Sequence, residues 1–383
     1  MTLREQVGQL FMIGFTGTTV TKDLASFLKA SSPGGVIFFK RNLESVEQMV
    51  ELTNGLQKLS PLTPFLIAID QEGGRVSRLP REFTIFPPCK QLGDCNSYEL
   101  TYSAAATIAK ELRAVGINMN MAPVLDVNSN LNNPVIGDRA FGDTPDLVGE
   151  MGLATIAGLQ ENKVIACGKH FPGHGDTAAD SHKVLPVVEA DRHRLQETEF
   201  PPFQRAIEFG VASLMTAHVV YRALDPEAPA TLSASIIQRL LREEFCYDGV
   251  VITDDLEMHA IVNHDDIGEA AVRAFVAGCD VLLICKEQDR VMAAIQSMER
   301  AVQDGRITRE RLQQSLARLA RLKARYLQPY KPVTISDARL TVGCRSHKMV
   351  LDLWSKVYGR VSGPRASESS EVASAEDSPV THV

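Results

Sequence analysis

Paired cysteines are the first thing missing from this sequence. Its seven cysteines, Cys89, Cys95, Cys167, Cys246, Cys279, Cys285 and Cys344, are odd in number and scattered, and no two form a CxxC motif. A zinc ribbon is thereby excluded, and a disulfide framework has nothing to rest on. Long apolar runs are missing too: none reaches the roughly 20 residues that cross a bilayer. The N-terminal "MTLREQVGQLFMIGFTG" carries only a short apolar run among Gly8, Gly14 and Gly17. It lacks the h-region and cleavage site of a signal peptide. Basic clusters with interleaved aromatics are absent, and the formal net charge is −7. That balance argues against nucleic acid or a membrane surface as partner. Together these absences predict a cytoplasmic chain with reduced thiols. Repeats at solenoid spacing are not found either.

What is present is the composition of an ordinary globular protein, 44% apolar and 23% charged over 383 residues. Short apolar, β-branched runs alternate with amphipathic stretches. The runs are "LFMIGF" (10–15), "GGVIFF" (34–39), "PFLIAID" (64–70), "INMNMAPVLDV" (117–127), "VIACGKHF" (164–171), "VASLMTAHV" (211–219), "GVVITDD" (249–255) and "DVLLIC" (280–285). Their unbroken apolar character suits strands buried on both faces of a parallel sheet. Helical patterns such as "ESVEQMVELTNGLQKL" and "IGEAAVRAFVAG" lie between them, several ending at glycine.

Eight strands alternating with helices predict an α/β fold, a (β/α)8 TIM-type barrel over residues 1–330, rather than an open doubly wound sheet. Asp70, Asp126, Lys169 with His170, His218, and Asp254 with Asp255 all fall at the C-terminal ends of the runs. In a barrel those ends meet on one face, where active sites sit. Past "LARLARLKARYL" the pattern changes. Residues 331–361 read as a proline-containing linker and one further helix carrying Trp354, the only tryptophan. Residues 362–383 are polar and Ser/Glu/Ala-rich and are expected to be disordered. The expectation is a single catalytic domain with a short C-terminal extension.

The stretch "KHFPGHGDTAADSH", Lys169 to His182, packs three histidines, two aspartates and a lysine around Pro172, Gly173 and Gly175. Three chemistries use such a loop. His170, His174, Asp176, Asp180 and His182 are competent metal ligands, but no HExxH accompanies them, and His218 alone adds a further histidine at a strand end. A phosphate loop would need GxxxxGK[ST], and here the lysine precedes the glycines. The third reading is acid/base catalysis. In an extended loop Asp180 and His182 point to the same side, so the carboxylate can hold the ring, fix its tautomer and raise its basicity. The bland alternative is a pair that merely ties down the loop.

Other strand ends bear on that choice. "VVITDDLEMHA" puts Asp254 at the end of the seventh run, where a carboxylate is costly unless used or paired. Its bland role is to cap a helix starting near Leu256, a task Asp255 fits equally well. "AIDQEGGRVSRL" ends the third run in Asp70, followed by Arg75 and Arg78, which a structural Asp–Arg pair would also explain. "NNPVIGDRAFG" adds Arg139, for which a surface salt bridge is the bland account.

Taken together, these segments resemble glycoside hydrolase family 3, in its bacterial single-barrel β-N-acetylhexosaminidase branch. The resemblance runs from about Thr2 to Leu327 through "GGVIFFKRN", "AIDQEGGRVSRL", "MAPVLDVN", "GDRAFG", "KHFPGHGDTAADSH" and "VVITDDLEM". It implies that Asp254 is the nucleophile and that His182 with Asp180 forms the acid/base dyad. It places sugar-binding roles on Asp70, Arg78, Arg139, Lys169 and His170. It further implies a retaining mechanism on terminal β-linked N-acetylglucosamine, with muropeptide fragments of peptidoglycan recycling as the carbohydrate substrate. No cofactor, metal, nucleic-acid or membrane partner is expected, and the chain is expected to be a monomer or weak oligomer. Phosphorolysis is the near rival, because a histidine acid/base would not repel incoming phosphate. A metal-dependent hydrolase and a catalytically dead binding barrel are the alternatives from other classes.

Overall fold

In the computed structural model, residues 1–60, 63–178, 185–262 and 266–362 are described. Eleven strands form among them: β1 (Phe11–Ile13), β2 (Gly35–Phe38), β3 (Leu66–Ile69), β4 (Met119–Asn120), β5 (Ile165–Phe171), β6 (Val187–Val188), β7 (Ser213–Thr216), β8 (Val220–Tyr221), β9 (Asp225–Pro229), β10 (Val250–Asp255) and β11 (Val281–Ile284). Eight of them close a parallel barrel in the order β1-β2-β3-β4-β5-β7-β10-β11, with β11 pairing back onto β1. β6, β8 and β9 form a small separate sheet. The expected (β/α)8 architecture is therefore present, and every apolar run named above supplies one barrel strand.

Each barrel strand is short and buried on both faces, as its unbroken apolar sequence requires. Met12, Ile67, Met119, Leu214, Ile252 and Leu283 are among the core residues, each at most 2% exposed. Hydroxyl side chains start the helices: Thr21, Ser45, Ser97 and Thr308 each accept a hydrogen bond from a first-turn backbone N–H. The run 117–127 is less regular than expected. Only Met119–Asn120 is regular strand, because Pro123 has no N–H to give to the ladder. Its carbonyl still accepts from Lys169 N at 3.0 Å, so the segment stays docked on β5.

Beyond the barrel, helix Ile335–Thr341 stands inside the stretch expected as linker. Its start is set by Thr334, whose side chain accepts from Asp337 N. Helix Arg345–Val361 follows, and the two lie against helices Val46–Lys58, Cys89–Cys95 and Tyr98–Ala114. No helix among the described residues is long and apolar enough to cross a membrane.

Candidate active site

At the C-terminal ends of the barrel strands lies a cavity of about 500 Å³. β3 delivers Asp70 to it and then turns sharply at Gly73 and Gly74, whose φ values are +110° and +53°. A Cβ on Gly73 would stand 2.4 Å from the Pro87 carbonyl oxygen, so only glycine fits this turn. The turn aims Glu72 inward. Glu72 receives a bidentate hydrogen bond from Arg139, Nη2 to Oε1 at 2.8 Å and Nε to Oε2 at 2.9 Å. Lys169 Nζ sits 2.7 Å from both Asp70 Oδ1 and Glu72 Oε1.

These two cations and two carboxylates form one nearly buried quartet. Burial opposes the Glu72 charge, but Lys169 and Arg139 outweigh it and hold its carboxyl well below the usual range. Burial likewise opposes the Lys169 ammonium, and Asp70 and Glu72 together hold its pKa above the ordinary value. Glu72 and Lys169 therefore stay ionised, and the contacts among the four groups lock their geometry. Such a frame presents carboxylate oxygens and N–H donors to the hydroxyl groups of a ligand without needing to reorganise.

β5 continues from Lys169 into His170. Its Nδ1 lies 2.7 Å from Asp126 Oδ2. Asp126 Oδ1 accepts from the backbone N–H of His170 at 3.0 Å and of His174 at 2.7 Å. Burial raises the Asp126 pKa, but the neighbouring His170 prevails and lowers it overall. An ionised Asp126 makes Nδ1 of His170 the protonated nitrogen and leaves Nε2 for a ligand. His174 is pushed down to about 4, by burial first and then by His170, so its ring is neutral. Gly175 packs so closely that a Cβ there would fall 1.5 Å from the Val127 carbonyl oxygen.

β10 ends in Asp254 and Asp255, whose pKa values shift in opposite directions. Burial works against the Asp254 charge, yet His218 and His170 lower its pKa below the usual aspartate value. Its Oδ1 also accepts from Asp255 N at 2.8 Å. Burial raises Asp255 to about 7, assisted by the Glu257 and Asp254 charges. Asp255 Oδ1 accepts from Glu257 N at 3.1 Å within a turn, and the helix expected near Leu256 starts only at His259, so neither aspartate is seen to cap it. Glu257 in turn accepts from the backbone N–H groups of Cys285 (3.0 Å), Lys286 (2.6 Å) and Glu287 (3.2 Å), tying β10 to the loop after β11.

Asp70, Arg78, Arg139, Lys169, His170 and Asp254 all line this one cavity. His182 and Asp180 lie outside the described residues. The bland Asp70–Arg pair does not form: Asp70 binds Lys169, and Arg75 binds Asp138 at 2.8 Å. The Arg139–Glu72 pair is no surface salt bridge, since the two side chains are 12% and 2% exposed. Arg78 Nε is buried without a hydrogen-bond partner among the described residues. Glu72 was not singled out from the sequence, although "DQE" places a second carboxylate two residues after Asp70, on the same side of an extended chain. Asp126 was noted at its strand end without a role. Among the described residues, no group of three or more His, Cys, Asp or Glu side chains is placed to hold a metal ion.

Residues 2–322 match the Glycosyl hydrolase family 3 N terminal domain. The chain belongs to glycosyl hydrolase family 3. The Beta-hexosaminidase of Nitrosomonas eutropha is 38% identical over 321 residues, which cover 81% of this chain and 91% of that protein. Beta-hexosaminidase A of Pseudoalteromonas piscicida is 36% identical over 360 residues. That match covers 86% of this chain but only 59% of that relative, so the family 3 chain spans less than two thirds of its length. Among solved structures, a glycoside hydrolase family 3 β-N-acetylglucosaminidase from Paenibacillus sp. superposes with a TM-score of 0.87 at 42% identity, covering 94% of this chain and 69% of that one.

Proposed function

We propose that this family 3 chain is a retaining β-N-acetylhexosaminidase that removes terminal, non-reducing β-linked N-acetylglucosamine. Its substrates in this reading are the GlcNAc-1,6-anhydro-MurNAc fragments of peptidoglycan recycling. A cytoplasmic setting suits the seven free cysteines. The observation that carries the reading is Asp254: a carboxylate held ionised at the end of a barrel strand, on the wall of the cavity that also holds the Asp70–Lys169–Glu72–Arg139 quartet. The names of the relatives agree with it.

Asp254 attacks the anomeric carbon as the bond to the leaving oxygen breaks, giving a glycosyl-aspartate ester. Asp70, Lys169, Arg139, Arg78 and His170 bind the sugar hydroxyls and the N-acetyl group. The proton for the leaving oxygen is assigned to His182, supported by Asp180, on the family motif "DSH". His182 then takes a proton from water, which attacks the anomeric carbon, expels the Asp254 carboxylate and releases the sugar with its original configuration. An imidazole suits both steps, because its pKa lies near neutral pH. Neither step calls for a metal or cofactor.

The test is turnover of a chromogenic β-N-acetylglucosaminide against the matching β-glucoside, in phosphate-containing buffer, with the product identified. Strong preference for the first and release of free N-acetylglucosamine are expected. Equal turnover of both, or release of the sugar 1-phosphate, would replace this reading.

A further inference from the structure

The two C-terminal helices lie beyond the matched family domain, yet they reach the segment around Glu82 and Thr84, which follows the loop that forms one wall of the cavity. Their meeting point is Glu111, on helix Tyr98–Ala114 and 1% exposed. Glu111 Oε1 lies 2.8 Å from His347 Nδ1 and accepts from Gly343 N at 2.8 Å, both in the C-terminal extension. The same carboxylate accepts from Thr84 N at 2.8 Å and Thr84 Oγ1 at 2.7 Å. Gly343 stands so near that a Cβ there would meet the Glu82 carbonyl oxygen at 2.3 Å.

Thr84 leads directly to the substrate wall. Two residues on, the Phe86 carbonyl accepts from Gly74 N at 3.0 Å, and Pro87 and Pro88 back Gly73 and Gly74. That turn aims Glu72, which holds Arg139 and Lys169. We infer that the C-terminal extension is a brace for the substrate site, acting through His347, Glu111 and Thr84 on the 72–79 turn. His347 and Glu111 are thus positioning residues, reaching the sugar only through the Gly73–Gly74 turn. Close-packed contacts of this kind transmit a lost anchor, because the interior has no slack to absorb it.

Two variants of the full chain, His347→Leu and Thr84→Val, test the brace by hydrogen–deuterium exchange and by steady-state kinetics. Both should speed exchange in residues 72–79 by about tenfold. Both should raise KM for a chromogenic β-N-acetylglucosaminide by about fivefold, with kcat within about twofold. His347→Asn, whose amide can donate from the Nδ1 position, should restore both readouts. A part that only held the extension down would loosen 335–361 and leave 72–79 unchanged; wild-type exchange at 72–79 in a folded variant overturns the inference. If His347→Leu does not fold, Thr84→Val decides by the same criterion. The kinetic arm rests on the proposed activity, whereas the exchange arm does not. A wild-type chain inactive on this substrate therefore sinks the activity while the brace is still judged.

Discussion

Asp254 and Asp255 are adjacent, chemically identical side chains whose pKa values burial and neighbouring charge shift in opposite directions. A divergence of this kind favours Asp254, the more readily ionised of the two, for the proposed role of nucleophile. Asp254→Ala is expected to lower kcat by several powers of ten while leaving the melting temperature near that of the wild type. Asp255→Asn should keep activity within about tenfold; the reverse pattern would move the nucleophile to Asp255. The Asp255 pKa is raised to about 7 in the folded chain, so the native state binds the extra proton. Stability from this group is present at low pH and is lost as pH climbs from about 4 through 7. Asp255→Asn should therefore gain in melting temperature relative to wild type between pH 5 and pH 8; a constant difference would contradict the shift.

Glu72 has the opposite sign. Its folded pKa is depressed, so its contribution is complete above the ordinary glutamate value near 4.3 and is lost as pH falls below it. Glu72→Gln leaves Arg139 and Lys169 short of a buried counter-charge and should cost about 3–5 kcal/mol at neutral pH. Denaturant titrations at pH 7 and pH 3.5 would show it: the gap between the variant and the wild type should narrow at the lower pH.

At the scale of elements, strand ends place the chemistry and the loops between them hold it there. Glu257 is the clearest case, one carboxylate satisfying three backbone N–H groups at the start of helix Gln288–Gln303. Glu257→Ala leaves those donors without their acceptor and should destabilise the chain by about 2–4 kcal/mol. Glu257→Gln should recover part of that loss in the same thermal melts. Barrel strands were legible in the sequence because burial on both faces leaves unbroken apolar runs. The shortening of the fourth run followed from Pro123, a local cause visible in advance. Helix Ile335–Thr341 was hidden, since seven residues with one cap carry too little periodicity to stand out beside a proline-rich stretch.

For the molecule as a whole, the proposed chemistry runs on side chains alone. Prolonged dialysis against a chelator is expected to leave turnover unchanged, and zinc or manganese should not rescue His182→Ala. Loss on chelation with recovery on adding metal would favour the metal-dependent reading of "KHFPGHGDTAADSH". The sequence by itself determined the barrel, the strand ends on which the polar residues lie, and six residues that share the cavity. Those follow from burial patterns and motifs, which are local along the chain. Only the tertiary structure decided which charges meet. Arg139 binds Glu72 across 67 residues and Lys169 binds Asp70 across 99. A charged side chain has many opposite charges within the same sequence distance, and closure of the barrel is what brings one of them within 3 Å.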